Sequence, residues 1–161
     1  MTRWRVFSGL LLAASLFALS SAPVGASSPI RFPAGFSRYT DTSCGFPVDV
    51  SLLSGKQIET IFLDANGVPT KLLFTGALKI RLTNASGTFI DLNVPGPGII
   101  TFNSDGSATG TGRGPAVVGV PGHLWYFDGL VVLNFPADGG PATVVSHTGP
   151  ALDLCTALAP G

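Results

Sequence analysis

The sequence predicts an all-β fold, an antiparallel meander of about eight to ten short strands. Three observations carry that expectation. Apolar and polar residues alternate with a period of two, turn dipeptides separate the alternating stretches, and no amphipathic helical stretch of useful length occurs. A small barrel is favoured over a sandwich. Closure removes exposed sheet edges, and Gly76 inside the long stretch 71–83 supplies the kind of kink that curls a sheet.

The segment 27–43 contains Pro29, Pro33 and Gly35 with little periodicity, and reads as an extended arm. Val48, Val50 and Leu52 then alternate with Asp49 and Ser51, the mark of a half-buried strand. Leu78, Ile80 and Leu82 oppose Lys79, Arg81 and Thr83, and Ile90, Leu92 and Val94 oppose Phe89, Asp91 and Asn93. Further strands are expected over 57–63, 71–74, 99–102, 107–111, 116–120, 130–135 and 142–147. Asn66-Gly67, Asp105-Gly106, Asp128-Gly129 and Asp138-Gly139 supply residues that tolerate positive φ, as tight hairpin turns require; Ser54-Gly55 and Ser86-Gly87 are weaker versions. Pro95-Gly96-Pro97-Gly98 cannot continue a ladder. Near the end, Pro150 opens a short helical turn carrying Leu152, Leu154, Cys155 and Leu158, placed to cap the sheet.

The N-terminus has a different character. Arg3 and Arg5 precede an apolar run over 6–19, and Val24-Gly25-Ala26 puts small residues where a signal peptidase needs them. Residues 1–26 are therefore expected to be an export signal cleaved after Ala26. The run is shorter than the roughly 18–20 residues of a spanning helix, which disfavours the alternative of a retained anchor. With Arg3 and Arg5 removed, seven basic residues face nine acidic ones. Lys56, Lys71, Lys79, Arg81 and Arg113 are dispersed, so the clustered basic face that nucleic acid requires is missing. An outer-membrane barrel is disfavoured because strands of five to seven residues fall short of the roughly 9–11 a bilayer needs.

Cys44 and Cys155 are the only cysteines, near the two ends of a single domain over 44–161. In an oxidising compartment they are expected to pair, in preference to two free thiols or a redox pair, for which C-x-x-C spacing is absent. Closing so long a loop contributes about 4–5 kcal/mol in chain-entropy models.

The chain offers little to catalysis. His123 and His147 are its two histidines, and no G-x-S-x-G elbow appears. Gly110-Thr111-Gly112-Arg113-Gly114 has no helix after it to cradle a phosphate, and reads as a glycine-rich bend. Two histidines and one disulfide do not make a zinc set. The loops at Asp64 and Asp105 fail as calcium loops, since Leu73 and Gly112 stand where the bidentate glutamate belongs. No metal or cofactor is expected. Glu59, between Ile58 and Thr60, reads as an outward residue. The densest group of unusual side chains is His123-Leu124-Trp125-Tyr126-Phe127-Asp128. Its alternation puts Trp125 and Phe127 on one face and Tyr126 on the other. His123, Trp125, Tyr126 and Phe127 are therefore the candidate ligand-binding residues, set against the plainer reading of Trp125 and Phe127 as core.

Asp41-Thr42-Ser43-Cys44-Gly45-Phe46-Pro47-Val48 and Leu152-Asp153-Leu154-Cys155-Thr156-Ala157-Leu158 resemble the two ends of a group of small exported actinobacterial proteins. There a C-G-F-P-V start and a D-x-C ending bracket a strand-rich middle. That group has no established function, so the resemblance implies source and export and no activity.

Two functional readings follow. The leading one is a secreted, non-catalytic β-domain that binds a small apolar ligand or a protein partner. The alternative is a barrel enzyme, cyclase-like or hydrolase-like, using His123 or His147 with an aspartate as acid and base in a cavity. A purely structural secreted domain is a third.

Overall fold

The computed structural model describes residues 28–160; the expected export signal over 1–26 lies outside them. The chain forms β1 (Ile30–Ala34), β2 (Tyr39–Asp41), β3 (Val48–Leu63), β4 (Pro69–Asn84), β5 (Phe89–Val94), β6 (Gly98–Phe102), β7 (Ala108–Val120), β8 (His123–Phe135), β9 (Thr143–His147), β10 (Ala151–Asp153) and α1 (Leu154–Ala157). All pairings are antiparallel within one sheet, in the order β1-β3-β4-β6-β7-β8-β10, with β2 on β3, β5 on β4 and β9 on β8. The all-β meander and its short C-terminal helical turn are thus present. Barrel closure is not: the sheet is open, with no pairing between its first and last strands.

The ten strands lie on seven tracks. β1 and β2 follow one another along β3, β5 and β6 along β4, and β9 and β10 along β8. Within the segment read as an arm, Ile30–Ala34 and Tyr39–Asp41 are strands and make the first of these tracks. The other breaks fall at Pro95-Gly96-Pro97 and Thr148-Gly149-Pro150, where proline withholds a donor. Four expected hairpin turns close as such, with the amides of Gly67, Gly87, Gly106 and Gly139 donating to Asp64, Asn84, Asn103 and Pro136. Two others do not. Asp128-Gly129 lies inside β8, where Gly129 opposes Gly114, and Ser54-Gly55 lies inside β3 beside a register shift.

These glycines belong to a row that crosses the sheet. Gly114 opposes Gly129, and the registers of β4 with β5 and of β8 with β10 carry the row to Gly76, Gly96 and Gly149. Neighbouring backbones come so close there that side chains are excluded. A Cβ on Gly76 would sit 2.2 Å from the Lys56 carbonyl oxygen, and one on Gly129 would sit 2.1 Å from that of Thr148. Gly76 also holds φ at +133°, a conformation costly to any other residue.

On one side of the row the chain builds two layers around a core. Val48, Val50, Ile80 and Leu82 pack against Leu124, Leu154 and Leu158. Burial of each such side chain contributes about 1.5–3 kcal/mol. The helical turn is shorter than expected: Ala151–Asp153 is strand, and the helix begins at Leu154. The Asp153 carboxylate caps it, accepting from the Cys155 amide at 3.0 Å. Buried Asn84 ties it to the β4 end, donating through Nδ2 to the Leu158 carbonyl at 2.9 Å. The Cys44–Cys155 disulfide, with 5.2 Å between α-carbons, then fastens the end of the first track to the helix.

Two outcomes are expected in denaturant titrations. Reducing the disulfide lowers stability by about 4 kcal/mol, the entropy restored to a loop of 111 residues. Gly76→Ala costs at least about 2 kcal/mol, from the Lys56 clash together with the positive φ, whereas Gly139→Ala, with no atom near its Cβ, meets only the φ cost.

Candidate functional site

On the far side of the glycine row the sheet has a single layer, and its two faces differ in chemistry. Residues directly opposite one another in register share a face. One face carries the row Phe62, Lys71, Thr101, Thr109, Asn134 and Thr143. The other carries Ile61, Leu72, Ile100, Gly110, Leu133 and Val144, and beside it Phe102, Ala108 and Phe135. The first is mostly polar, as a solvated sheet face should be. The second is apolar apart from Glu59 and His147 towards its two edges, yet nothing in the described residues lies over it as a second layer. Phe102, mid-sheet, is 42% exposed, and Phe32 at the edge is 38% exposed.

Two recesses open here, one on the apolar face and one where that face meets the glycine row. The first, about 180 Å³, lies over Gly98, Gly110 and Gly112 and is walled by Phe74, Ile100 and Leu133. The glycines make the floor, and Phe135 leans over part of it, its ring 2.8 Å from where a Gly110 Cβ would stand. The second, about 200 Å³, is lined by Trp125, Phe127, Val144, His147 and Ala151.

The second recess draws in two of the four ligand-binding candidates singled out by sequence, Trp125 and Phe127. Alternation along β8 sets His123, Trp125 and Phe127 on one face, and their rings form a stack with centroids 5.0 Å and 6.0 Å apart. His147 extends the stack from β9, its ring 5.2 Å from that of Phe127. Phe127 is buried beneath its neighbours, whereas Trp125 stays half-exposed. Tyr126 turns the other way and packs on the core. Val144 and Ala151 were not singled out by the sequence, and His147 only as an acid–base alternative to His123; all three reach the site through the registers of β9 and β10 with β8. A cavity of about 600 Å³ beside the disulfide is larger, but small residues and backbone line it and no titratable or aromatic side chain does.

At one end of the stack, His123 Nδ1 and Asp153 Oδ2 are 2.6 Å apart. Burial acts to raise the Asp153 pKa, but the hydrogen bond from His123, the Cys155 amide and the imidazole charge outweigh it and hold the carboxyl below its usual range. The pair can orient an imidazole. It has no nucleophile in hand, since Cys155 is in the disulfide. Among the described residues no group of three or more His, Cys, Asp or Glu side chains is placed to hold a metal ion, and no helix is long and apolar enough to cross a membrane. Comparison with known proteins adds no assignment: no protein-family model, curated protein or solved structure matches the chain.

Asp153→Ala should destabilise the fold by about 1 kcal/mol, the usual worth of an N-cap. Because the folded pKa is depressed, the aspartate's contribution is present above the ordinary carboxylate range and is lost as pH falls through the folded value. Thermal melts of the native protein and of Asp153→Ala should therefore begin to approach one another below about pH 4 and meet only beneath the depressed folded value. Melts that stay equally separated at low pH would assign the loss to packing instead.

Proposed function

We propose that this is an exported, non-catalytic β-domain whose apolar sheet face is its binding surface, for a small apolar ligand or a protein partner. The observation that carries the reading is that face itself: apolar across the sheet, recessed at two places and without a second layer. Exposed apolar patches beyond a few hundred Å² mark interaction sites on soluble proteins. Aromatic side chains that are part-exposed, as Trp125 is, suit such a site because they offer large rigid contact area. Export is supported by the disulfide, which persists in oxidising compartments, and by the charged, apolar and small-residue order of 1–26.

A second reading, acid–base catalysis by His123 and Asp153, rests on their 2.6 Å contact. It asks for polar substrate space beside the imidazole, whereas the neighbouring recess is walled by Trp125, Phe127 and Val144. Binding is the better fit.

Trp125 is the only tryptophan apart from Trp4, which falls in the expected signal, so its emission reports on the second recess. Titration of the folded protein with an apolar fluorophore such as anilinonaphthalene sulfonate should quench Trp125 by energy transfer and brighten the dye. Val144→Asp, which puts a charge into the recess, should weaken that binding roughly tenfold, as expected when apolar contact is exchanged for a charge to be desolvated. A folded monomer that leaves the dye dark would sink the proposal.

A further inference from the structure

We infer that the occupant of the apolar sheet face is a second copy of this chain, in a two-fold dimer stacked face to face. The inference rests on the reading of that face as a binding surface, and it names the partner. Its ground is that the face is complementary to itself.

One register row runs through all seven tracks: Phe32, Glu59, Phe74, Gly98, Gly112, Val131 and His147. Consider a two-fold axis parallel to the strands, lying between the stacked sheets and midway between β6 and β7. It brings each strand's mate from the other end of the sheet over it, so that β6 faces β7, β4 faces β8 and β3 faces β9. Within that row, Gly98 then meets Gly112, and Phe74 comes over β8 where Val131, 1% exposed, is already covered within its own chain. At its ends Glu59 meets His147, and the symmetry makes this contact twice.

The charges fit this arrangement. In the strand registers of this face, Glu59 and His147 are its titratable side chains, and they stand at opposite ends of one row. Glu59 makes no ion pair within the chain. With the axis moved to β6 or to β7, each would face an apolar side chain or none; placed between them, each faces its complement.

The shapes fit as well. β6 projects Ile100 and Phe102, while β7 offers Gly110 and Ala108 in the same register rows. The axis that pairs Glu59 with His147 also sets the bulky β6 over the bare β7 of the other copy. The recess over Gly110 and Gly112 is where a projecting side chain would enter. Glycine on a sheet face often marks such close approach.

About this axis six of the tracks overlap; at about 4.8 Å apart and five residues of about 3.3 Å long they present about 480 Å² per copy. Two copies bury about 950 Å², the size of a weak, reversible association. A single apolar layer also lacks what domains ordinarily require, a second layer to bury it. The other side of the glycine row finds its second layer within the chain; this side finds it in a copy.

The test uses the protein as an expressing cell yields it, with the disulfide intact, and reads mass by light scattering and sedimentation over a concentration series. The expected result is a dimer. His147→Glu sets glutamate against glutamate twice and should weaken dimerisation by roughly tenfold or more. Adding Glu59→Lys to His147→Glu restores opposite charges and should recover the dimer. Circular dichroism of both variants shows whether they fold, and the rescue cannot come from a variant that does not. A monomer throughout the series overturns the dimer; if that monomer still brightens the apolar dye, the binding-face reading survives it, and if the dye stays dark both fall. A dimer indifferent to His147→Glu would lie on another surface and would equally overturn the inference.

Discussion

The close approach of backbones along the glycine row is the constraint on which the rest of the molecule depends. Where Gly76, Gly96, Gly114, Gly129 and Gly149 line up, adjacent strands lie nearer than a Cβ would permit at several of the crossings. Each track changes character there. On one side β5 and the end of β7 are no longer paired, and the strands form two layers around Val48, Leu82, Leu124 and Leu158. On the other side β6 bridges β4 and β7, and the sheet continues as one layer. A fold that would otherwise be uniform is split into a part with its own core and a part without one. The proposed binding surface lies on the second part.

The two-layer part must hold itself together at its ends. Three devices converge on four helical residues to do so: the disulfide to Cys44, the Asp153 cap, and the Asn84 amide on the Leu158 carbonyl. The disulfide and the Asn84 amide fix the last turn to distant stretches of chain, while the cap closes its own first turn. The cap aspartate also holds His123, so the anchor of the helix and the end of the aromatic stack share one carboxylate. Stability and the geometry of the second recess are coupled through that side chain.

Much of this was legible in the residues. Alternation found most of the strands, because each has one face richer in apolar side chains. The disulfide could be read from the number of cysteines and the character of the N-terminus. The turns show where local reading stops. Asp138-Gly139 and Asp128-Gly129 are the same dipeptide, yet the first closes a hairpin and the second sits mid-strand. Their difference lies in what stands opposite, Gly114 and the Thr148 carbonyl, which no local window contains. One signal was available: Gly76 and Gly96, like Gly129 and Gly149, are 20 residues apart with proline following the second of each. The aromatic segment at 123–127 marked the recess, but Val144, His147 and Ala151 join it only through register. The pairing of Glu59 with His147 across the sheet was likewise invisible from either residue alone.

The seven tracks also have an order in time. Every track pairs with the one synthesised just before it, so the sheet can grow by successive hairpins as the chain emerges, each closed over a short loop. The disulfide cannot follow that schedule. Cys44 is made 111 residues ahead of Cys155, and until the last strand is in place it has no partner. Through most of its own synthesis the protein therefore carries a lone thiol beside a growing sheet, and the bond that joins its two ends can form only as the last step.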